Sequence, residues 1–313
     1  MTRGDGDALE FTGERFTPEC VREIFYEHWH RYAWARSLVA GRDVLDCACG
    51  EGYGSRLLAE SARSVTGVDV DAATIEHARK RYGAETIRFV ASDALDLPFD
   101  DDAFGAVVSF ETLEHLAEHD ALLSEFRRVL RPDGLLLLSS PDKRTYSDET
   151  GHVNEFHVRE LYRDELEELL GRHFPNFRLV GQKLAFQSLL WPLDDGDAGA
   201  TILTADDDGD VHASRRPAAD PVYYIAVAAA EGTDLPELPG LSAFSDRAES
   251  VYAHYDEEVR KHIRAGHLLA ERDAEIERLR CELDRLARDE AGTATASRPG
   301  WWARIRRRLA RRR

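Results

Sequence analysis

A glycine-rich turn with two embedded carboxylates carries the first chemical signal in the sequence. The stretch VLDCACGEGYGS, residues 44 to 55, runs from apolar residues through Asp46 into small residues, and it opens onto RLLAE. This pattern predicts a buried strand, a tight turn and the start of a helix. Such turns usually hold phosphates on free backbone amides, but Asp46 and Glu51 would repel a pyrophosphate there. The turn therefore favours a ligand with positive charge, which Gly50 and Gly52 allow the backbone to approach closely.

Two more acids follow the next two apolar segments. Asp69, in VTGVDVD, ends the second predicted strand, close to the roughly twenty-residue offset at which an acid accepts hydrogen bonds from ribose hydroxyls in dinucleotide folds. Asp93, in VASDALDLPF, is expected to accept a hydrogen bond from an adenine amino group, with Val70 and Ala94 on either side of the ring. S-adenosylmethionine combines ribose and adenine with a sulfonium and an α-ammonium and has no phosphate. Together with Asp46, the set therefore matches this cofactor better than it matches NAD.

Five motifs together resemble those of class I S-adenosylmethionine-dependent methyltransferases. They are Asp-x-Ala-x-Gly-x-Gly at 46 to 52, Asp69, Asp93, VVSFETLEHL at 107 to 116 and RVLRPDGLLLLSSP at 128 to 141. The resemblance covers about residues 10 to 230. It implies an α/β, Rossmann-like doubly wound fold with a seven-stranded sheet whose last strand is antiparallel. It also implies that Phe110 and Ala48 belong to the cofactor site, although Ala48 replaces the Gly of the commonest pattern. Ala is small enough that we expect binding to survive.

The flanking segments narrow the resemblance to a subgroup. GERFTPE at 13 to 19, EHWHRYAWA at 27 to 35 and SPDKRTYSDETGHVNEFHVRELY at 140 to 162 are similar to bacterial and archaeal methyltransferases linked to surface-polysaccharide and other glycan assembly. This similarity implies O-methylation of a sugar or a related small acceptor. In the first segment, Arg15 is expected to reach the carboxylate of the cofactor, and packing of an N-terminal helix is the alternative role for this region.

Three histidines are candidates for the catalytic base. Methyl transfer from a sulfonium needs mainly in-line placement of the acceptor, but a sugar hydroxyl must also lose its proton. Histidine suits that task near neutral pH. His152 and His157 bracket VNEF in a loop that is expected to overhang the cleft, and His115 is the third candidate. No metal site is predicted, because no tight carboxylate cluster stands out and Cys47 and Cys49 lie closer together than the usual zinc ligands.

Apolar segments alternate with helical ones across the predicted methyltransferase domain, residues 41–232, which predicts a parallel sheet covered on both faces. The predicted strands are DVLDCA, SVTGVDV, TIRFVAS, FGAVVSF, GLLLLSS, FRLVGQKLAFQ and PVYYIAVAAA. RPDG at 131 to 134 is predicted as a turn, and 158 to 171 as a helix that stops at Gly171. Residues 1–40 are predicted as an N-terminal segment and covering helix. An acidic insertion over about 192–219 contains ATILTADDDGDVHAS, a predicted hairpin.

The C-terminal part has a different pattern. Residues 249–290 are predicted to be helical, with five apolar residues on heptad a and d positions and Arg272 interrupting the seam; the five are Leu269, Ile276, Leu279, Leu283 and Leu286. They predict either a coiled coil that makes a homodimer or a helix packed on the main domain. The segment 296–313 is predicted as a basic amphipathic tail. Trp at its apolar edge and eight Arg over 298–313 are typical of a helix on an anionic membrane surface, and a solubilising or RNA-binding tail is the alternative.

Composition limits the classes of function. The net charge of −18, with the basic tail set against an acidic body, argues against nucleic acid as a substrate of the main domain. Without a signal-peptide pattern, the chain is expected in the cytoplasm, with peripheral contact to the inner face of the cell membrane if the tail binds there. Methylation of a quinone or another lipid-linked small molecule is the alternative activity. A degenerate methyltransferase fold that recruits partners through its C-terminal helix is the non-enzymatic alternative.

Overall fold

The computed structural model describes residues 23–187, 201–205, 208 and 210–293. The predictions for Arg15 and for the basic tail 298–313 therefore lie outside the described residues. The chain divides into two compact units, residues 1–247 and residues 248–313. The candidate site belongs to the first unit.

Nine strands and six α-helices are present in the described part of the chain. The strands are β1 (Asp43–Cys47), β2 (Ser64–Asp69), β3 (Ile87–Ala91), β4 (Phe104–Phe110), β5 (Leu130–Pro141), β6 (Asn176–Gln182), β7 (Ile202–Ala205), β8 (Val211–Ser214) and β9 (Tyr223–Ala229). The helices are α1 (Glu23–Leu38), α2 (Tyr53–Leu58), α3 (Ala72–Tyr82), α4 (His119–Val129), α5 (Arg163–His173) and α6 (Ser250–Thr293). A 3₁₀ turn, Leu113–His115, follows β4, and a π-helical turn, Arg144–Asp148, follows β5.

Seven strands form one sheet in the order β3-β2-β1-β4-β5-β9-β6. The pairs among β1 to β5 are parallel, whereas β9 runs antiparallel to both of its neighbours, β5 and β6. The predicted seven-stranded sheet with an antiparallel last strand is confirmed. Because β1 to β4 are parallel, the residues that follow them meet at one edge of the sheet, the usual ligand edge of an open α/β fold.

The sheet is buried on both faces because consecutive apolar residues enter opposite cores. Leu136 and Leu138 of β5 pack in a cluster that includes residues of α4 and α5. Leu137, between them, packs in a second cluster with residues of α1 and α2. Helix α3 covers the outer strands through Ile75 and Ala78, which cluster with Phe89. Continuous apolar strands therefore predicted a doubly covered sheet correctly.

Two local predictions are wrong. The segment RPDG is not a turn ahead of a strand, because β5 begins at Leu130 directly after α4 and absorbs these residues at a register shift against β4. The helix predicted over 158 to 171 begins only at Arg163, where Tyr162 and Glu165 form a capping box. It also passes through Gly171 to His173, since this glycine does not have a positive φ and does not end the helix.

The remaining predicted elements are present, except that the strand predicted as FRLVGQKLAFQ ends at Gln182 and does not extend to Gln187. Strands β7 and β8 pair antiparallel, with Ile202 opposite Ser214, and they form the hairpin predicted inside the acidic insertion. Helix α6 confirms the helical extension, and its five predicted seam residues are exposed. The coiled coil itself stays a prediction. Among the described helices, none is both long enough and apolar enough to cross a membrane.

Candidate functional site

Asp46, at the end of β1, is a buried anchor of the glycine-rich loop. One of its carboxylate oxygens accepts a hydrogen bond from the Tyr32 hydroxyl of α1 at 3.1 Å, and the other accepts one from Ser55 Oγ of α2 at 2.6 Å. Burial raises the pKa of this carboxyl to about 7. The loop therefore rests on an acid that ionises near neutral pH, and positive charge brought close to it would favour the ionised form.

The loop after β1 needs left-handed backbone at three positions. Ala48, Gly50 and Gly52 have φ values of 59°, 54° and 92°. A Cβ on Gly52 would also lie 2.7 Å from the ring of Phe89, so only glycine fits there. Ala48 holds a conformation that glycine adopts more easily, which gives a physical reason for the Gly of the commonest family pattern.

Glu51 does not carry out the role that its position in the loop predicts. Its side chain is fully buried, with a carboxylate oxygen 3.4 Å from Arg81 Nη1 and 3.3 Å from His77 Nε2, both on α3. The inference that Glu51 repels a phosphate or holds a cation at the loop is therefore wrong. Its charge is balanced by the neighbouring helix, and Asp46 is the carboxylate of the loop that lies at the sheet edge.

Asp69, at the end of β2, joins the loop to the neighbouring strand. Its Oδ2 accepts a hydrogen bond from the Gly50 amide and its Oδ1 from the Asp71 amide, both at 3.0 Å. Its carbonyl accepts a hydrogen bond from the Ser92 amide after β3 at 3.0 Å. A carboxylate offers about four acceptor positions, and two remain beyond these backbone bonds. Asp69 is thus held in place with capacity to accept from a pair of hydroxyls.

The residues predicted around an adenine ring lie at the same edge. Val70 follows β2, and its side chain is 75% exposed. Asp93 is exposed after β3, with its Oδ1 accepting from the Leu95 amide at 2.9 Å, and Ala94 is half-buried beside it. An exposed apolar surface between two carboxylates fits a nucleoside, so the residues present suit S-adenosylmethionine.

Phe110 lies deeper than a ligand-contacting residue requires. It ends β4, is 6% exposed and packs edge-on against Tyr32 with ring centroids 5.0 Å apart. Its neighbour Glu111 has a φ of 54°, a second strained non-glycine residue at the end of a central strand. Phe110 therefore packs in the core beneath the candidate site, and the chain turns sharply at the next residue, Glu111.

Arg31 of α1 is a residue that sequence reasoning missed. It is 1% exposed, it pairs with Glu111, and it donates to Ser139 Oγ at 3.2 Å. Its guanidinium lies 4.8 Å from the centroid of the Tyr223 ring. Among the described residues, its Nε and Nη2 have no hydrogen-bond partner. In the sequence, Arg31 could have been singled out as the one arginine within the aromatic segment EHWHRYAWA. Its two donors without partners could bind an anionic or hydroxyl-bearing group.

His157 is held from both ring nitrogens. Asn154 Oδ1 accepts from the Phe156 amide at 3.1 Å, so Asn154 Nδ2 donates to His157 Nε2 at 2.9 Å. His157 Nδ1 therefore carries the proton and donates to Glu160 Oε1 at 2.6 Å. The ring stacks on Tyr146 with centroids 5.3 Å apart. This geometry places the ring N–H on Nδ1 and leaves Nε2 as a hydrogen-bond acceptor.

The other two candidate histidines differ in exposure. His115 is half-buried, its Nδ1 donates to the Phe156 carbonyl at 3.0 Å, and its ring lies 5.1 Å from that of His157. His152 is exposed and lies edge-on to Tyr146 with centroids 5.5 Å apart. The structure therefore brings His115 and His157 together and leaves His152 on the solvent side of Tyr146.

Residues 45–138 match the family model for a methyltransferase domain. The sheet order and the site at the ends of β1 to β3 define a Rossmann-like domain of the kind that binds a nucleoside cofactor. Over these residues the chain is therefore similar to methyltransferase domains, and its curated relatives include proteins named as probable S-adenosylmethionine-dependent methyltransferases.

Three curated relatives are similar to parts of this chain. A probable S-adenosylmethionine-dependent methyltransferase of Mycolicibacterium smegmatis is 43% identical over 166 residues, 52% of this chain and 64% of the relative. A fatty-acid O-methyltransferase of the same organism is 38% identical over 112 residues, 35% of this chain and 41% of the relative. A demethylmenaquinone methyltransferase of Clavibacter sepedonicus is 41% identical over 101 residues, 32% of this chain and 41% of the relative. The chain spans less than two thirds of the length of the curated relatives that it matches.

Proposed function

We propose that this chain transfers a methyl group from S-adenosylmethionine to an oxygen of a small hydroxylated acceptor, a sugar or a glycan precursor. The observation that carries the proposal is the arrangement at the ends of β1 and β2, where Asp69 is bound by the Gly50 amide and still has acceptor capacity. Asp69 would accept the ribose hydroxyls, Val70 and Ala94 would flank the adenine, and Asp93 would accept from its amino group. Bound S-adenosylmethionine supplies a methyl group on a good leaving group.

The chain's own residues would do three things in this reaction. Asp46 would balance positive charge at the loop, because its carboxyl ionises more readily next to a cation. Arg31 and the end of β4 would hold the acceptor against the cofactor edge, since in-line placement accounts for much of the acceleration. A histidine would take the proton of the acceptor hydroxyl.

The geometry supports an order among the three candidate bases. Both ring nitrogens of His157 are occupied by Glu160 and Asn154, whereas the His152 ring is exposed beside Tyr146. A base needs an accessible lone pair within reach of the acceptor. We therefore propose His152 first, with His157 and then His115 as the alternatives.

A polar acceptor is favoured by the groups beyond β4. Arg31, Glu111 and Tyr146 surround this region together with Glu27, whose pKa burial raises to about 7. Such a lining suits hydroxyl groups better than an alkyl chain. The relatives named for a fatty acid and for demethylmenaquinone favour a second candidate, an acceptor with a lipid chain whose reactive hydroxyl enters the same polar region.

The test separates cofactor binding from acceptor choice. Calorimetry of the full chain with S-adenosylmethionine, S-adenosylhomocysteine and NAD should give binding of the first two only. Deuteriomethyl-labelled S-adenosylmethionine, offered with separate polar-glycan and lipid extracts, should then label the glycan fraction. Label in the lipid fraction alone would move the acceptor to the second candidate, and binding of NAD instead of S-adenosylmethionine would reject the proposal.

A further inference from the structure

Three metal-binding side chains converge beyond the end of β4. Glu114 and His115 end the 3₁₀ turn there, and His157 reaches them from the loop before α5. One ligand atom from each residue lies within 4.8 Å of the ligand atoms of the other two. An ion placed between these three atoms could contact all of them.

Each histidine is already oriented as a metal ligand would be. His115 donates its Nδ1 proton to the Phe156 carbonyl, and His157 donates its Nδ1 proton to the Glu160 carboxylate. In each ring Nε2 is therefore the nitrogen that could bind an ion. Metal-binding histidines almost always donate their second ring N–H to a carbonyl or carboxylate in this way, which fixes the tautomer and makes the ligand more basic. A cation at His157 would take the place of the Asn154 amide at Nε2.

Glu114 supplies the anionic ligand and a reason for a cation to bind. The residue is 1% exposed, and its Oε2 has no hydrogen-bond partner among the described residues. A buried carboxyl oxygen without a partner is costly. Glu111 and Glu160 also lie close enough to Glu114 to interact with it electrostatically. A divalent ion would satisfy this oxygen and offset the charge of the neighbouring carboxylates.

We infer that Glu114, His115 and His157 bind one divalent first-row transition-metal ion through two imidazoles and one carboxylate. Imidazole with carboxylate suits zinc, iron or manganese better than magnesium or calcium, which prefer oxygen ligands alone. The inference departs from the sequence prediction of no metal. It also assigns His115 and His157 to the ion and leaves His152 as the candidate proton acceptor.

The ion would bind and activate the acceptor hydroxyl in the proposed methyl transfer, and this role of the ion rests on the proposed function. Three protein ligands leave coordination positions open for an acceptor hydroxyl, and coordination lowers the pKa of a bound hydroxyl. The hydroxyl proton would pass to His152 or to water. The oxygen would form a bond to the methyl carbon while the carbon–sulfur bond breaks, and the sulfur would keep the electron pair. An acceptor with neighbouring hydroxyls, such as a sugar, would suit two open positions.

Metal binding can be measured without any acceptor. The full chain is stripped with a chelator, dialysed against Zn²⁺ or Mn²⁺, and analysed for bound metal by mass spectrometry and calorimetry. We expect one equivalent of either ion. The Co²⁺ form should show ligand-field bands without a thiolate charge-transfer band, which separates this site from binding at cysteines. The same preparations are titrated with S-adenosylmethionine, so that failure of the metal site and failure of the proposed function are distinguishable.

A graded set of variants tests the assignment of ligands. Glu114→Gln and His157→Ala each remove a metal ligand and should weaken metal binding by more than about 100-fold. Glu160→Gln removes only the hydrogen-bond partner that orients His157, and it should weaken metal binding about 10- to 100-fold. His267→Ala, on the exposed surface of α6, is the matched control and should bind metal like the parent chain. Unfolding curves check that each variant is folded. Less than stoichiometric metal in the parent chain, or equal metal affinity in all four variants, would overturn the inference.

Discussion

The Gly50 amide donates a hydrogen bond of 3.0 Å to Asp69 Oδ2, and this bond connects the loop after β1 to the end of β2. Gly50 has a φ of 54°, so the amide reaches Asp69 only because the loop turns through left-handed backbone. The bond sets the position of the carboxylate that is proposed to accept the ribose hydroxyls. Loop conformation and cofactor affinity should therefore depend on each other.

Asp69→Asn should weaken binding of S-adenosylmethionine about 10- to 150-fold. The amide keeps one acceptor oxygen but loses the charge and an acceptor, and a hydrogen bond to a charged group is worth about 1.5 to 3 kcal/mol. Calorimetry at constant salt measures the change. Asp133→Asn, at an exposed position in β5, is the matched control and should leave the affinity unchanged. Equal affinity in the Asp69 variant and its control would remove Asp69 from the site.

Asp46 should make the stability of the free protein decrease as pH rises. Burial raises its folded pKa to about 7, whereas an unfolded Asp has a pKa near 4, so the folded state holds the proton more tightly. This contribution is fully present below about pH 4, falls as pH rises to about 7 and is flat above that. Relative to Asp46→Asn, the free energy of unfolding should drop by as much as about 4 kcal/mol across this window. Denaturant titrations of both proteins between about pH 5 and 8 test the slope.

The affinity for S-adenosylmethionine should depend on pH in the opposite direction and increase as pH rises. Nearby positive charge lowers the pKa of Asp46, so binding below about pH 7 releases a proton and the affinity should decrease as pH falls. Calorimetry in two buffers of different ionisation enthalpy measures the released proton directly. In Asp46→Asn the affinity should vary less with pH. Identical pH profiles for the two proteins would show that Asp46 does not sense the cofactor.

Ala48→Gly should stabilise the fold by up to about 1 kcal/mol. The left-handed backbone at Ala48 costs roughly 1 to 2 kcal/mol, and glycine would remove this cost. Glycine also gives the unfolded chain more conformational entropy, which offsets about 0.5 to 1 kcal/mol of the gain. The matched control, Ala73→Gly, places the same change on the exposed face of α3 and should destabilise by about 1 kcal/mol. Unfolding of the three proteins in denaturant gives both values. A destabilised Ala48 variant would contradict the strain argument.

His152→Ala should lower turnover about 10² to 10⁴-fold while leaving affinity for S-adenosylmethionine unchanged, because a base acts only in the transition state. The pH profile of the rate should lose its histidine limb in this variant. His115→Ala and His157→Ala should also lower turnover, and their effect should follow the loss of metal. Full activity of the His152 variant with an unaltered pH profile would exclude His152 as the base.

Helix α6 should bring two copies of the chain together. Its predicted seam residues include Leu279 and Leu283, which are 45% and 58% exposed, respectively. Light scattering of the full chain should give a dimer, and the double change to Glu at these two positions should give a monomer, since charges at heptad a and d positions disrupt a coiled coil. Leu268→Glu, 60% exposed but off the seam, is the control and should stay dimeric. A monomeric parent chain would reject the coiled coil.

The sequence was sufficient to predict the sheet and the positions of Asp46, Asp69 and Asp93 along it. A buried parallel strand is a continuous apolar run, and the residues that face a ligand follow where the run ends. It was not sufficient for the direction in which a side chain turns. Glu51 and Asp46 lie five positions apart in one loop, yet Glu51 pairs with Arg81 while Asp46 contacts α1 and α2. Nor could spacing predict that His157 meets Glu114, since a long segment separates them and the loop before α5 brings them together. Arg31 was missed because helical position alone does not report its pairing with Glu111.

The position of β9 also determines the order in which the first unit can be assembled during synthesis. Strand β6 pairs only with β9 within the main sheet, and β9 lies between β5 and β6. A nascent chain in which Tyr223–Ala229 has not yet been synthesised therefore exposes the edge of β5 and lacks the strand with which β6 pairs in the folded domain. The chain between β6 and β9, which includes the acidic insertion, must be synthesised before the sheet can be completed. Since the entropy of closing a loop grows only with the logarithm of its length, each doubling of the insertion should cost about 0.6 kcal/mol. A reporter or affinity module inserted between β7 and β8 should consequently have a low cost in stability, because it would interrupt neither β6 nor β9.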